Sequence, residues 1–96
     1  MTTLKDIDIN SYGDYSSENY GAHALRVNIG TLTLWFSYKT IIAFRDGFSG
    51  TVVRQNDWST TTGKHLNWID GGNKKERLSS EEFEAKLAEV LAKHNL

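Results

Sequence analysis

The sequence contains no cysteine and no proline, and only one of its 96 residues is methionine. Without cysteine the chain has no disulfide framework, no thiol nucleophile and no zinc ribbon, and the cytoplasm is the default compartment. No stretch approaches about eighteen apolar residues, and charged residues interrupt the first ten positions, where a signal peptide needs an apolar run. We therefore expect one domain, residues 1–96, with no membrane span and no visible export signal.

The charges nearly cancel, but they are distributed unevenly along the chain. The total is −1, with a net −3 in residues 1–20 and a net +3 in residues 21–55. The basic part coincides with the strands predicted below. A basic sheet face would suit an anion or a nucleic-acid backbone, whereas cations scattered in solvent are the plainer interpretation.

The clearest predicted element is a helix over residues 80–94. Ser79 suits the N-cap, Glu82 completes a capping box with it, and Leu78 can pack on Phe83 as a hydrophobic staple. One apolar stripe then follows at helical spacing, formed by Phe83, Leu87, Val90 and Leu91. This stripe requires a partner surface.

Period-two alternation predicts strands at residues 23–29, 31–37, 41–45 and 51–54, and Leu4 to Ile9 suits an edge strand. No link between these runs is long enough for a crossover helix, so the sheet is expected to be antiparallel. The predicted fold is α+β, with four or five strands packed on one face by the single C-terminal helix. The expected core consists of Leu25, Val27, Ile29, Leu32, Leu34, Phe36, Phe83, Leu87 and Leu91.

Two segments do not fit this scheme. Residues 12–20 are polar and turn-rich but hold three tyrosines, which is unusual for a linker. Residues 60–69 predict a short helix or turn, capped by Thr61 or Thr62 and closed by Gly71 in the left-handed conformation. In that helix His65, Trp68 and Ile69 would share one face.

A glycine followed by a lysine at a helix start can present backbone N–H groups and a cation to an anion, as Gly63 and Lys64 would here. The full Walker pattern is absent, because Trp58 stands where its first glycine is needed and His65 where it needs serine or threonine. A plain helix cap with an exposed lysine, or a protein contact, are the alternatives.

No catalytic set, metal site or cofactor is predicted from the residues. The three histidines, His23, His65 and His94, have no ligand spacing. His65 could act in hydrolysis together with Asp57, Asp70 or Ser59. The sequence favours instead a structural, half-buried histidine whose hydrogen bonds are satisfied.

Two candidate binding surfaces remain. The first is the hydroxyl-rich and aromatic segment, with Trp58, Thr62, Gly63, Lys64, His65, Asn67 and Trp68 expected to line one surface. The second is a cationic sheet face on which Trp35 lies in the polar register. Trp35 would either point outward for stacking or be covered by the tyrosine-rich 12–20 segment. This face comprises Arg26, Trp35, Lys39, Arg45 and Arg54.

Three strings in the chain resemble a family of small uncharacterised proteins of phages, prophages and their bacterial hosts. They are residues 19–23 (NYGAH), residues 36–44 (FSYKTIIAF) and residues 56–70 (NDWSTTTGKHLNWID). The resemblance implies a phage accessory role in the host cytoplasm, such as inhibition of a defence system, and it adds no catalytic residue. The leading hypothesis is therefore a non-enzymatic, anti-CRISPR-like inhibitor, monomeric or homodimeric, that binds a host protein or ribonucleoprotein. The alternative is direct binding of nucleic acid or a nucleotide.

Overall fold

The computed structural model describes residues 7–12, 24–58 and 60–96, together with the side chains of all of these except 60 and 61. It confirms the predicted α+β fold, which within these residues consists of a five-stranded antiparallel sheet in the order β1-β2-β3-β4-β5 and two helices. The strands are β1 (Ile7–Ser11), β2 (Ala24–Ile29), β3 (Leu32–Ser37), β4 (Thr40–Asp46) and β5 (Val52–Val53). The helices are α1 (Thr60–Asp70) and α2 (Ser80–Lys93), with a 3-10 turn at Lys74–Glu76 between them.

β3 is the central strand, and its residues alternate between the two faces of the sheet. Leu34 belongs to one buried cluster and the next residue, Trp35, belongs to another. Because successive strand residues point to opposite faces, the two clusters lie on opposite sides of the sheet. Leu66 of α1 packs with Trp35, whereas Phe83 of α2 packs with Leu34.

The prediction of one core against a single helix is therefore wrong in part. Leu32, Leu34, Phe83 and Leu87 are buried together as expected, and Phe36 and Leu91 pack at the edge of the same cluster. The expected core members on β2 (Leu25, Val27 and Ile29) are only partly buried and belong to neither cluster. The second cluster exists because Trp35, Ile42, Ala43 and Val53 give the strands an apolar second face.

The start signals of α2 are confirmed by its geometry. Ser79 is the N-cap, and its hydroxyl oxygen accepts the backbone N–H of Glu82 at 3.3 Å. The same hydroxyl donates to the Glu82 carboxylate at 3.1 Å, and Leu78 packs on the cluster that holds Phe83. The backbone of Leu78 also bonds to Val53 and Gln55, at 2.8 Å each, which fixes the entrance of α2 beside β5.

The short helix predicted over residues 60–69 is confirmed as α1, but the predicted capping residues are wrong. Thr61 and Thr62 lie inside the helix instead of capping it. Gly71 follows the last helical residue with φ +66°, the left-handed end that the sequence predicts.

Several sequence predictions lie outside the described residues. They are the start of the edge strand at Leu4, the tyrosines of the 12–20 segment beyond Tyr12, the candidate residue His23, and Ser59. Within the described residues no helix is both long and apolar enough to cross a membrane.

Candidate functional site

A buried network of hydroxyl and imidazole groups joins α1 to the end of β3. The hydroxyls of Ser37 and Thr62 are 3.0 Å apart, and Nδ1 of His65 lies 2.7 Å from the Ser37 hydroxyl. His65 is fully buried, and the other two side chains are nearly so. The network satisfies buried polar atoms and fixes α1 on the sheet. His65 is thus more deeply buried than the half-buried histidine predicted from the sequence.

A pocket of about 390 Å³ lies next to this network. We call it the Trp58 pocket, and it is lined by Ser37, Tyr38, Thr40, Ile42, Trp58 and Thr62. Tyr38 and Trp58 are both nearly half exposed, at 43% and 46%. The pocket therefore combines hydroxyl groups with two accessible aromatic rings, the composition typical of a recognition site.

Trp58 is held in place by a buried arginine. The guanidinium carbon of Arg54 lies 4.4 Å from the centre of the Trp58 ring, and the Trp58 backbone N–H donates to Oδ1 of Asn56 at 3.0 Å. Because Arg54 covers one face of the indole, the exposed part of the ring is its other face and its edges. Trp58 is thus an oriented platform.

The charge of Arg54 is paired within the molecule. Its guanidinium donates to Glu84 at 2.8 Å and to the Ser80 hydroxyl at 2.6 Å, and it lies 3.5 Å from Asp57. Only 5% of Arg54 is exposed. The prediction that Arg54 contributes to a cationic surface is therefore wrong, and the residue positions Trp58 instead.

Asp57 is a charged member of this arrangement. The hydrogen bond from the Ser80 hydroxyl lowers the pKa of Asp57 against the opposing effect of burial, and bonds from Gln55 and Arg54 lower it further. A carboxyl group that stays ionised in this way does not suit the role of a general acid at neutral pH.

Tyr38 has an unusual backbone conformation for a side chain of its size. Its φ is +58°, in the two-residue turn that joins β3 to β4. Such values cost a non-glycine residue about 1–2 kcal/mol, and conformational strain of this kind is concentrated at functional sites. The Tyr38 ring lies 6.3 Å from the His65 ring, centre to centre, so the turn connects the pocket to the buried network.

The first predicted surface is split by α1. Thr62 and His65 face the core, whereas Lys64, Asn67 and Trp68 are exposed. The expectation that all seven residues line one surface is therefore wrong. The phosphate-turn interpretation also does not fit, because Gly63 and Lys64 lie within α1 and not at its first residues. Gly63 instead permits a close approach of the 55–58 loop, since a Cβ there would lie 3.1 Å from the Asn56 amide nitrogen.

The second predicted surface is not a stacking platform. Trp35 is only 7% exposed and lies in the cluster beneath α1, so the alternative in which it points outward is wrong. Arg26 on β2 is directly opposite Trp35 on β3, and the guanidinium carbon of Arg45 lies 5.9 Å from the centre of the Trp35 ring. Lys39 is exposed, but it belongs to the turn beside Tyr38 and so lies next to the Trp58 pocket.

A second, polar pocket of about 320 Å³ is found on the exposed side of α1, where Asn67 and Arg77 meet. Arg77 donates twice to Asp70, at 2.6 and 2.9 Å, and to Asn67 at 3.0 Å. Burial would raise the pKa of Asp70, but the bonds from Arg77 and from the Gly72 N–H outweigh it and lower the pKa. This bidentate pair neutralises Arg77, so the pocket does not present a free guanidinium to an anion.

Sequence reasoning missed Tyr38 and the positioning role of Arg54. A signal for Tyr38 was available, because a two-residue hairpin loop favours glycine or asparagine and an aromatic residue there is exceptional. The role of Arg54 had no local signal, since its partners Glu84 and Ser80 lie far along the chain.

The fold and the site define a small α+β domain with an aromatic pocket at one end of a meander sheet. Among the described residues no group of three or more histidine, aspartate or glutamate side chains could hold a metal ion. Residues 7–85 match a family of unknown function (DUF8033), and the chain belongs to that family. No curated protein and no solved structure matches the chain.

Proposed function

We propose that this protein is a non-enzymatic binding protein of phage origin that acts in the host cytoplasm. It would occupy a surface of a host protein or ribonucleoprotein, in the manner of an anti-CRISPR inhibitor, and recognise it through the Trp58 pocket. The single observation that carries this proposal is the pair of half-exposed rings, Tyr38 and Trp58, beside a pocket of about 390 Å³.

Aromatic residues at the centre of a contact supply most of the binding energy in many interfaces. Trp58 is suited to this role because Arg54 and Asn56 already orient it, so little side-chain entropy is lost on binding. The strain at Tyr38 supports the same proposal, since an aromatic residue occupies a backbone conformation that glycine would adopt without a steric cost.

The test compares Trp58→Ala and Tyr38→Ala with wild type in capture from host lysate, followed by titration of each captured protein in purified form. Both variants should weaken the specific interaction about tenfold or more, which corresponds to about 1.4 kcal/mol. Trp68→Ala is the matched control, because Trp68 is also half exposed but does not line the pocket. Equal binding by all three variants would refute the proposed site.

A second candidate function is the binding of a nucleotide or a single-stranded nucleic acid at the same pocket. It is favoured by the exposed Lys39, which is next to the pocket residue Tyr38 in the chain. An aromatic platform with an adjacent cation and hydroxyl groups suits a stacked base and its phosphate.

Titration of the tryptophan fluorescence with nucleotides, single strands and duplexes tests this candidate. Each phosphate neutralised on a single strand should contribute about 0.7 to the log–log slope of affinity against salt. A signal unchanged at low salt would remove this candidate and leave the protein partner.

A further inference from the structure

The loop between β4 and β5 displays a fully exposed phenylalanine. Phe48 has a relative exposure of 110%, the highest of the exposed large apolar residues in the described part of the chain. Its turn is defined by two backbone bonds, from Gly47 to Thr31 at 2.7 Å and from Ser49 to Asp46 at 3.1 Å. The ring therefore projects from a hydrogen-bonded turn.

A pocket lined by apolar and charged side chains adjoins the same loop. We call it the loop pocket; it measures about 280 Å³ and is lined by Phe44, Val52 and Val90 from the α2 side of the core. The charged residues Lys86, Glu89, Lys93 and Asp46 also line it, and the last two form an ion pair at 2.8 Å. Ser49 and Gly50, the two residues that follow Phe48, form part of its wall. A protruding ring and a pocket able to accept a ring thus lie side by side on one surface.

We infer that this surface binds a second copy of the same chain about a two-fold axis, with each Phe48 inserted into the partner's loop pocket. An isologous dimer requires a patch that is complementary to itself, and an adjacent knob and hole satisfy that requirement. This inference does not depend on the proposed function, because none of the residues of the loop pocket lines the Trp58 pocket.

The charges at the rim of the loop pocket support a second copy as the occupant. Lys86 and Glu89 both line the pocket and lie three residues apart on α2. If two α2 helices meet antiparallel across the axis, Lys86 of each copy faces Glu89 of the other. Lys93 and Asp46, which also line the pocket, are paired with each other within one copy, so the charges left to meet across the axis are complementary.

The contact is small, so the expected association is weak. It consists of two phenylalanine rings, which bury about 150–250 Å² each when enclosed, and one face of each α2. An interface at the low end of the usual size range corresponds to dissociation constants of about micromolar or weaker.

Sedimentation equilibrium from about 1 µM to about 1 mM should show a reversible monomer–dimer equilibrium. Phe48→Ser removes the knob and should leave a monomer throughout. Gly50→Trp should also abolish the dimer by filling the pocket mouth, because a Cβ at Gly50 meets no atom within 4 Å and its φ is not in the left-handed region. Ile9→Ser is the control, since Ile9 is 63% exposed on β1, at the other edge of the sheet.

The charge pair gives a test that is specific for a two-fold axis. Lys86→Glu and Glu89→Lys should each weaken the dimer about tenfold or more, and the double exchange should restore it, because the facing pairs are then opposite in charge again. Thermal melting monitored by circular dichroism should show all variants folded. A wild-type monomer at every concentration would overturn the inference. So would a dimer unaffected by Phe48→Ser, or loss of a different protein partner on that substitution without any change in oligomeric state.

Discussion

Tyr38 shows how one residue combines a conformational cost with an accessible ring. It occupies a turn position with φ +58° and exposes 43% of its surface at the Trp58 pocket. Because only glycine adopts such angles without cost, the tyrosine is explained by what its ring contacts and not by the turn. The same strain makes the residue a sensitive probe of the site.

Comparison of Tyr38→Gly with Tyr38→Val separates the turn from the ring. Both variants lose the ring, but valine is β-branched and must adopt a positive φ, so it should be less stable than glycine by about 1–2 kcal/mol. Urea unfolding at equilibrium measures this difference. Both variants should lose partner binding equally, and equal stability of the two would show that the turn is not strained.

Asp70 and Arg77 form the residue pair with the clearest pH dependence. Since the folded protein lowers the pKa of Asp70, the pair contributes stability above the unfolded value of about 3.9 and loses it as pH falls through the folded value. Asp70→Asn should cost about 1–3 kcal/mol at pH 7, as expected for a hydrogen-bonded pair with side chains only 11% and 4% exposed.

The measurement is the urea midpoint of wild type and Asp70→Asn at pH 7 and near pH 3. The difference in unfolding free energy between the two proteins should narrow at the lower pH, because the unfolded wild type binds a proton at Asp70 once the pH falls below about 3.9 and the stabilisation by the pair is progressively lost. A gap that persists unchanged at the lower pH would mean that the contribution is not ionic.

At the scale of elements, the sheet is stabilised by a helix on each face. Leu66 of α1 is fully buried and Leu87 of α2 is 6% exposed, in different clusters. Substitution of either leucine by alanine should lower the free energy of unfolding by about 2–5 kcal/mol, since a cavity forms in either case. Thermal melting and urea unfolding of Leu66→Ala and Leu87→Ala test both contacts.

Leu96→Ala is the matched control for these substitutions. Leu96 is 57% exposed at the end of the chain, so the same chemical change should alter stability by less than about 0.5 kcal/mol. If Leu66→Ala behaved like this control while Leu87→Ala did not, α1 would not be docked as described, and the Trp58 pocket would lose one wall.

At the scale of the whole molecule, Arg54 joins elements that are distant in sequence. It follows β5, contacts Glu84 and Ser80 in the first turns of α2, and lies against both Trp58 and Phe83. Its stem and guanidinium therefore connect the core on the α2 side to the pocket on the α1 side. A buried charge in this position couples the stability of the fold to the orientation of Trp58.

Arg54→Met should lower stability by about 1–3 kcal/mol, because methionine keeps part of the packing but none of the charged hydrogen bonds. It should also make Trp58 more accessible to acrylamide. The quenching is measured in a Trp68→Phe background, where Trp58 is the half-exposed indole and Trp35 is buried.

Arg54→Lys is the comparison for this substitution. Lysine keeps the charge but lacks the planar fork that donates to Glu84 and Ser80 while it covers the indole, so it should recover stability only in part. Unchanged quenching of Trp58 in both variants would show that Arg54 does not position the ring.

Local signals determined the helices, the strands and the order of the sheet. The capping box at Ser79 and Glu82 needs only neighbouring residues, and so does the left-handed glycine at position 71; both were predictable. The period-two pattern predicted the strands, and the short links between them predicted the antiparallel sheet, for the same reason. Interactions between residues that are close in the sequence can be predicted from the sequence alone.

Only the tertiary structure decided which face each element buries and therefore which residues form the site. β3 is buried on both faces, although the polar residues Thr33 and Ser37 accompany Trp35 on one of them, so its pattern could not show whether Trp35 points to solvent or to a second helix. The burial of His65 against Ser37 and the pairing of Arg54 with Glu84 join residues 28 and 30 positions apart. Such contacts depend on how the sheet and helices pack in three dimensions, and no local periodicity encodes them.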